Sequence, residues 1–345
     1  MIKQNVFFTI VIAAYNSSLT LRKAVESVTT QLNEDYEIIV IDDCSTDNTR
    51  DVMNQLFEDF FPFVKIYSNE TNSGPSFCRN FGISKSTGCY IGFLDADDWY
   101  VDGLFQLLKK ELLENNPDII KFGVHESYKT YCRSVKFPPF FVENKREIAV
   151  NAIKLEEYPL FGYAANSFYN CSLLKRHNLK FDTELSFAED FFFNINFFQI
   201  CKTFQNLSFI GYHYSKDQGG SLSSRYIENY QLLYERKIEN LLDWALSNDC
   251  LGNCSSSLAR IYLRTVYSSV VRQLERHHYS QALESINYFT NHRLFSILLP
   301  YMHGSNFPLK VAILPVKLKQ PLLLFLFSLS FLVIKKFFPE FSKRL

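Results

Sequence analysis

The chain has 345 residues, a length that suggests about two domains, and 47% of them are hydrophobic, enough for a sizeable core. Lysine plus arginine and aspartate plus glutamate both total 36, so the formal net charge is zero. This balance argues against a general nucleic-acid-binding protein, which usually carries a basic excess. The eight cysteines show no zinc-type spacing, and we interpret them as reduced thiols.

Four apolar, β-rich segments alternate with helical patterns in the first part of the chain. They are FFTIVIAAY (7–15), YEIIVIDD (36–43), FVKIYSN (63–69) and CYIGFLDADD (89–98). Near-continuous apolar strands separated by helices predict a parallel sheet covered by helices on both faces. Such sheets bind ligands at the carboxyl ends of their strands.

The pattern is less regular after Pro117 and becomes helical after Arg225. AEDFFFNINFF predicts a helix, FIGYHYS (209–215) a strand and KDQGGSLSS (216–224) a flexible loop. We therefore predict an α/β domain over residues 1–225, a helical accessory region over 226–300 and apolar, basic-flanked helices over 301–345.

The C-terminal segment PLLLFLFSLSFLVI (321–334) is almost wholly apolar and is followed by Lys335 and Lys336. As a helix it would span about 20 Å, which is less than the ~30 Å of a bilayer core. This favours a helix that lies in the membrane face with its lysines near anionic head groups. A helix buried in the protein core is the alternative.

Three carboxylates follow the fourth predicted strand in FLDADD. Asp95 and Asp97 are two residues apart and would face the same side of an extended chain. Carboxylates of this kind commonly hold Mg²⁺ together with substrate phosphates. A solvated turn is the alternative, but Tyr15 and Asp43 also end strands, and Arg79 follows in a nearby loop. The chain has no glycine-rich phosphate loop of the P-loop or dinucleotide-binding type.

The motifs VIAAYN, IVIDDCSTDNT, SGPSFCRNFG, YIGFLDADDW and AEDFFF occur in this order. As a set they resemble the family 2 nucleotide-sugar glycosyltransferases of the GT-A fold, over residues 7–224. The resemblance implies an α/β fold with a Rossmann-like, mostly parallel sheet, helices on both faces and a C-terminal helical region. It also implies an inverting transfer of sugar from a nucleoside diphosphate sugar, by default a UDP-sugar.

The resemblance implies contacts to the nucleotide-sugar donor, one of them from Asp95. Tyr15 and Asp43 would hold the base, and Arg79 would lie near the nucleotide or diphosphate. Ser221 and Ser223 would close over the diphosphate.

The resemblance also implies the metal ligands and the base. Asp95 would contact the ribose or the metal, and Asp97 would ligate Mg²⁺ or Mn²⁺. His213 resembles a late metal or diphosphate contact, although a packed core histidine is the alternative. Asp190 matches the acid that takes the proton of the acceptor hydroxyl, whereas a favourably charged helix N-terminus is the other interpretation of this position.

We therefore expect a bacterial glycosyltransferase that uses a glycan or a lipid-linked sugar as acceptor in cell-surface polysaccharide synthesis. It would act at the cytoplasmic face of the cell membrane, with peripheral contact through its C-terminus and no nucleic-acid partner. Two other functions stay open: a nucleotidyltransferase, and a catalytically inactive nucleotide-binding membrane scaffold.

Overall fold

The computed structural model describes residues 6–32, 34–128, 131–215, 230–303 and 313–337. The described chain divides into two compact units. One comprises residues 1–148 and 158–226, and the other comprises residues 149–157 and 227–345.

A parallel sheet forms the first half of the α/β unit. Its strands are β1 (Phe8–Ala14), β2 (Tyr36–Asp42), β3 (Val64–Ser68) and β4 (Tyr90–Asp95), in the spatial order β3-β2-β1-β4. Every residue of β2 and nearly every residue of β1 is buried, as expected for strands that are covered on both faces.

The second half of the sheet is mixed. It contains β5 (Trp99–Tyr100), β6 (Ile119–Tyr128), β7 (Tyr131–Val135), β8 (Phe140–Val142), β9 (Ser167–Asn170) and β10 (Phe204–Ser215). The strand β9 is antiparallel to both β4 and β6, and it joins the parallel half to the rest of the sheet. The strands β6 and β10 are parallel, and β5 pairs with the end of β10.

Helices connect the strands of this unit. They are α1 (Leu21–Thr29), α2 (Thr49–Asp59), α3 (Pro75–Lys85), α4 (Leu104–Asn115), α5 (Lys145–Glu157), α6 (Cys171–Arg176) and α7 (Glu189–Ile200). The helix α3 packs against β1 and β2. The approach is close because Gly82 has no side chain: a Cβ there would lie 2.3 Å from Cγ1 of Val11.

The second unit is helical. It contains most of α5 (residues 149–157), followed by α8 (Tyr230–Ser247), α9 (Leu251–Leu274), α10 (Tyr279–Asn291), α11 (Arg293–Leu298), α12 (313–317) and α13 (Pro321–Phe337). Glu157 of α5 accepts two hydrogen bonds from the guanidinium of Arg260, at 2.6 and 2.9 Å, and ties α5 to α9. In the part of the chain described, no helix has the length and apolar character needed to cross a membrane.

Candidate active site

Three strand ends meet at one edge of the parallel sheet. In the register, Ala14 of β1 lies opposite Asp42 of β2, and Ala13 lies opposite Asp95 of β4. The residues that follow β1 and β2, Tyr15 and Asp43, therefore lie at the same edge as Asp95. This is the carboxyl edge, where a sheet of this type places its ligand site.

The Asp43 carboxylate is buried and organises the loop before α3. Its Oδ1 accepts hydrogen bonds from the amide of Asn69 and the backbone N–H of Ser73, both at 2.8 Å. Its Oδ2 accepts one from the N–H of Gly74 at 2.7 Å. Gly74 has φ 85°, a left-handed conformation that favours glycine, and Pro75 then begins α3.

Tyr15 is 48% exposed at the end of β1. The next residue, Asn16, has φ 50° and accepts a hydrogen bond from the N–H of Thr46 at 2.8 Å. Ser18 donates to Asp47 at 2.7 Å through its hydroxyl. The YNSS and CSTDNT motifs are thus bonded to one another, and they leave the Tyr15 ring accessible at the sheet edge.

The Arg79 guanidinium lies at the centre of the site, and the Arg79 side chain is only 7% exposed. Nη2 donates to Asp95 at 2.8 Å, and Nη1 donates to Asp190 at 3.0 Å and to Glu189 at 3.2 Å. One arginine of α3 therefore connects the acid that ends β4 with two acids that begin α7. The sequence places Glu189 beside Asp190, but it does not indicate this contact across more than 100 residues.

Asp190 lies in the first turn of α7, after a strained residue. Ala188 has φ 61°, which is uncommon for a residue with a Cβ. The Asp190 carboxylate accepts a hydrogen bond from the N–H of Ala164 at 2.9 Å on the oxygen that does not contact Arg79. Burial raises the pKa of Asp190 to about 7; Glu189 and Asp95 add to the rise and Arg79 opposes it. A carboxyl with this pKa can exchange a proton near neutral pH.

Asp97 and Asp98 differ in their surroundings. Burial, reinforced by the charge of Asp95, raises the pKa of Asp97 to about 6. Asp98 is 1% exposed and accepts hydrogen bonds from the hydroxyl of Tyr212 at 2.6 Å and the N–H of Ser215 at 2.7 Å. Asp98 therefore connects the turn after β4 to the end of β10 by hydrogen bonds. The sequence pattern did not predict this role.

His213 lies on β10 opposite Trp99 of β5. Its ring stacks on the Trp99 ring with centroids 3.7 Å apart, and its Nε2 shares a hydrogen bond of 2.7 Å with the Ser127 hydroxyl. Lys23 covers the other side of Trp99, with Nζ 3.0 Å from the ring centroid. The two predicted loop contacts, Ser221 and Ser223, lie outside the described residues.

The residues at the sheet edge fit a divalent cation. Asp97 is a half-buried carboxylate with a raised pKa beside a second carboxylate, Asp95, and a cation would stabilise the ionised form of both. Oxygen donors are the ligands that Mg²⁺ and Mn²⁺ prefer.

A second group of possible ligands does not fit a metal. In the described helical unit, Glu235, Glu239 and His292 hold ligand atoms within 4.8 Å of one another. Nδ1 of His292 accepts a hydrogen bond from the N–H of Leu294 at 3.3 Å, which places the ring proton on Nε2. Nε2 lies 2.6 Å from Glu235, and Arg293 pairs with Glu239 at 2.6 Å. These groups are therefore already occupied by a hydrogen bond from His292 to Glu235 and an ion pair between Arg293 and Glu239.

The fold matches a solved enzyme structure. Residues 1–349 of TarS from Staphylococcus aureus, crystallised with UDP-GlcNAc, superpose with a TM-score of 0.67 at 19% identity. The match covers 92% of this chain and 90% of that one. At this identity the likeness shows the fold alone, and the fold is the GT-A fold expected from the motifs, with a C-terminal helical region.

Sequence relatives give the family. Residues 9–175 match glycosyl transferase family 2. The uncharacterized glycosyltransferase EpsJ of Bacillus subtilis is 27% identical over 260 residues, which is 73% of this chain and 74% of EpsJ. A poly(ribitol-phosphate) beta-glucosyltransferase of Bacillus spizizenii is 30% identical over 227 residues, 64% of this chain but only 34% of that enzyme. Residues 9–175 therefore form a glycosyl transferase family 2 domain, and the relatives and the fold support a family 2 glycosyltransferase of the bacterial polysaccharide type.

Proposed function

We propose that the protein transfers a sugar from a UDP-sugar to a glycan or lipid-linked acceptor, with inversion at the anomeric carbon, in the synthesis of a cell-surface polysaccharide. The observation that carries this proposal is the Arg79 cluster. In this cluster the Arg79 guanidinium donates hydrogen bonds to both Asp95 and Asp190. Asp95 is also close to the candidate metal ligand Asp97. Binding of UDP-GlcNAc by TarS supports the choice of donor.

The donor would bind along the carboxyl edge of the sheet. The exposed Tyr15 ring and the Asp43 turn would hold the base, and Asp95 and Asp97 would face the diphosphate through Mg²⁺ or Mn²⁺. A bound cation would stabilise the charge that develops on the leaving diphosphate. Ser221, Ser223 and His213 remain predicted diphosphate or metal contacts, and Arg79 acts on the nucleotide side through Asp95.

Asp190 would act as the general base. In a single displacement, the acceptor hydroxyl oxygen forms a bond to the anomeric carbon while the bond from that carbon to the diphosphate oxygen breaks. The hydroxyl proton moves to the Asp190 carboxylate, which contributes about 10²–10⁴-fold in rate. The hydrogen bonds from Arg79 and Ala164 fix the orientation of this carboxylate, so that it needs no rearrangement during the reaction.

We place the enzyme at the cytoplasmic face of a bacterial membrane, in peripheral contact through its C-terminal part. A lipid-linked acceptor would be reached there. The apolar, lysine-flanked C-terminal segment supports this location.

The proposal is tested with the variant Asp190→Asn. We expect transfer from the UDP-sugar to fall by at least about 10²-fold, while calorimetry still detects UDP binding in the presence of Mn²⁺. Asp182→Asn, an exposed aspartate of the same unit, is the control and should behave like the wild type. Normal turnover by Asp190→Asn would rule out its role as base.

A further inference from the structure

The helix α13 lies against α9 and α10 with one side and exposes the other. Leu324 is 1% exposed and Ser328 is fully buried. On the opposite side, Leu322, Leu323 and Leu326 are 63%, 44% and 50% exposed. One side of the helix is therefore packed within the helical unit, while three leucines on its other side are exposed among the described residues.

Neighbouring elements also expose apolar side chains. Leu314 and Leu318, in and just after α12, are 58% and 51% exposed. Tyr279 at the start of α10 is 50% exposed, and its ring centroid lies 6.5 Å from that of Phe325 on α13. We call this set of six exposed side chains the apolar surface: Tyr279, Leu314, Leu318, Leu322, Leu323 and Leu326. Large apolar patches on a protein surface mark protein or membrane interaction sites.

The described charges beside Leu318 are positive. Residues 285–339 contain no aspartate or glutamate but six lysines and arginines. Lys317 and Lys319 are exposed on either side of Leu318. Two acids, Glu275 and Glu284, lie near Tyr279 in the sequence. Arg276, His277 and His278 lie between Glu275 and Tyr279.

We propose that the apolar surface binds the interface of a bilayer that contains anionic phospholipid. Exposed leucines flanked by lysines match the apolar boundary and the negative head groups of such a bilayer. A second copy of the chain fits less well, because a two-fold interface would bring equal positive charges together. The helix would lie in the plane of the interface, since α13 is packed along α9 and α10.

This inference deepens the proposed function, because a lipid-linked acceptor would be present at the same surface. The two can fail separately. Vesicle binding needs neither donor nor sugar transfer, whereas hydrolysis or transfer of a UDP-sugar can be measured without vesicles.

The test is co-sedimentation of the full chain with vesicles. We expect binding to phosphatidylglycerol–phosphatidylcholine vesicles and much weaker binding to phosphatidylcholine alone. Leu322→Asp/Leu326→Asp should weaken binding at least about tenfold. Leu246→Asp is the matched control, since Leu246 is a 54% exposed leucine of α8 outside the apolar surface.

The lysines are tested in the same assay. Lys317→Gln/Lys319→Gln should weaken binding to the anionic vesicles by about fivefold per charge removed and leave binding to phosphatidylcholine unchanged. Absence of wild-type binding to anionic vesicles would overturn the proposal, as would equal binding by the double leucine variant. A wild-type dimer that Leu322→Asp/Leu326→Asp converts to monomer would also overturn it, in favour of a second copy.

Discussion

Replacement of Arg79 by glutamine tests whether the charge of Arg79 stabilises the three acids of the site. The side chain is 7% exposed and is the cation shared by Asp95, Glu189 and Asp190. Glutamine keeps part of the volume and some hydrogen bonding, but it removes the charge. Three carboxylates would then face one another without the guanidinium.

The expected cost follows from the burial of each partner. Removal of one member of a buried ion pair costs about 3–5 kcal/mol, because it leaves a buried charge uncompensated. The Asp95 side chain is 39% exposed, so that water screens part of its charge, and we take the lower end, about 3 kcal/mol at pH 8. For a unit of this size that corresponds to a fall of about 6–12 °C in Tm.

The loss of stability caused by Arg79→Gln should depend on pH. Burial already raises the pKa of Asp190 to about 7, and loss of Arg79 removes the group that opposes the rise. At pH 5.5 the folded variant holds a proton on this carboxyl that the unfolded chain has released, so folding is favoured as pH falls toward 5.5. The Tm difference between wild type and Arg79→Gln should therefore be smaller at pH 5.5 than at pH 8.

Calorimetry at the two pH values measures both effects. Arg22→Gln is the control, since Arg22 is 39% exposed and its pairs with Glu26 and Asp59 are surface ion pairs worth at most about 1 kcal/mol. A Tm loss for Arg79→Gln no larger than that of Arg22→Gln would refute the reasoning. So would a large loss that is the same at both pH values.

Three further predictions follow from the same geometry. With the pKa of Asp190 raised to about 7, kcat/KM for transfer should rise with pH up to about 7 and then level, and a flat profile from pH 5 to 8 would contradict its role as base. Asp97→Asn should abolish the Mn²⁺-dependent part of UDP affinity in calorimetry, and unchanged Mn²⁺ dependence would exclude Asp97 as a ligand. Gly82→Ala should lower the free energy of unfolding by about 1–3 kcal/mol in urea, because its Cβ would meet Val11. The control is Gly252→Ala, where a Cβ meets nothing within 4 Å, and it should be neutral or slightly stabilising. Equal effects of the two substitutions would show that the α3–β1 contact adapts.

The first half of the fold could be predicted because its signals are local. Each apolar run became a parallel strand, and the residues expected at strand ends, Tyr15, Asp43 and Asp95, do lie at one edge of the sheet. The confirmed family and GT-A fold rest on the same ordered motifs.

The helix α7 and the end of β10 were predicted correctly, but the strand β6 was not, because buried charges interrupt its apolar pattern. Lys121 in β6 is fully buried and donates to the Ser167 hydroxyl at 2.6 Å and the Tyr163 carbonyl at 2.9 Å. Glu126 of the same strand is 1% exposed and pairs with Arg133 at 2.5 Å. Both charges are tolerated only through tertiary partners, which a local pattern does not contain.

The connections within the site were hidden for the same reason. The motifs indicated Arg79, Asp95 and Asp190 separately. The Arg79 guanidinium contacts acids on two other elements, β4 and α7, and Asp190 is more than 100 residues away in the sequence. Asp98 appeared only as the third acid of FLDADD, whereas its bonds to Tyr212 and Ser215 depend on the pairing of β5 with β10.

The most direct test of the account is a crystal structure with UDP and Mn²⁺ in which anomalous scattering locates the ion. We predict a single Mn²⁺ beside the carboxylate of Asp97, in contact with the diphosphate, while Arg79 remains bonded to Asp190. A structure with UDP well ordered at the sheet edge and no ion at Asp97 would contradict the central claim.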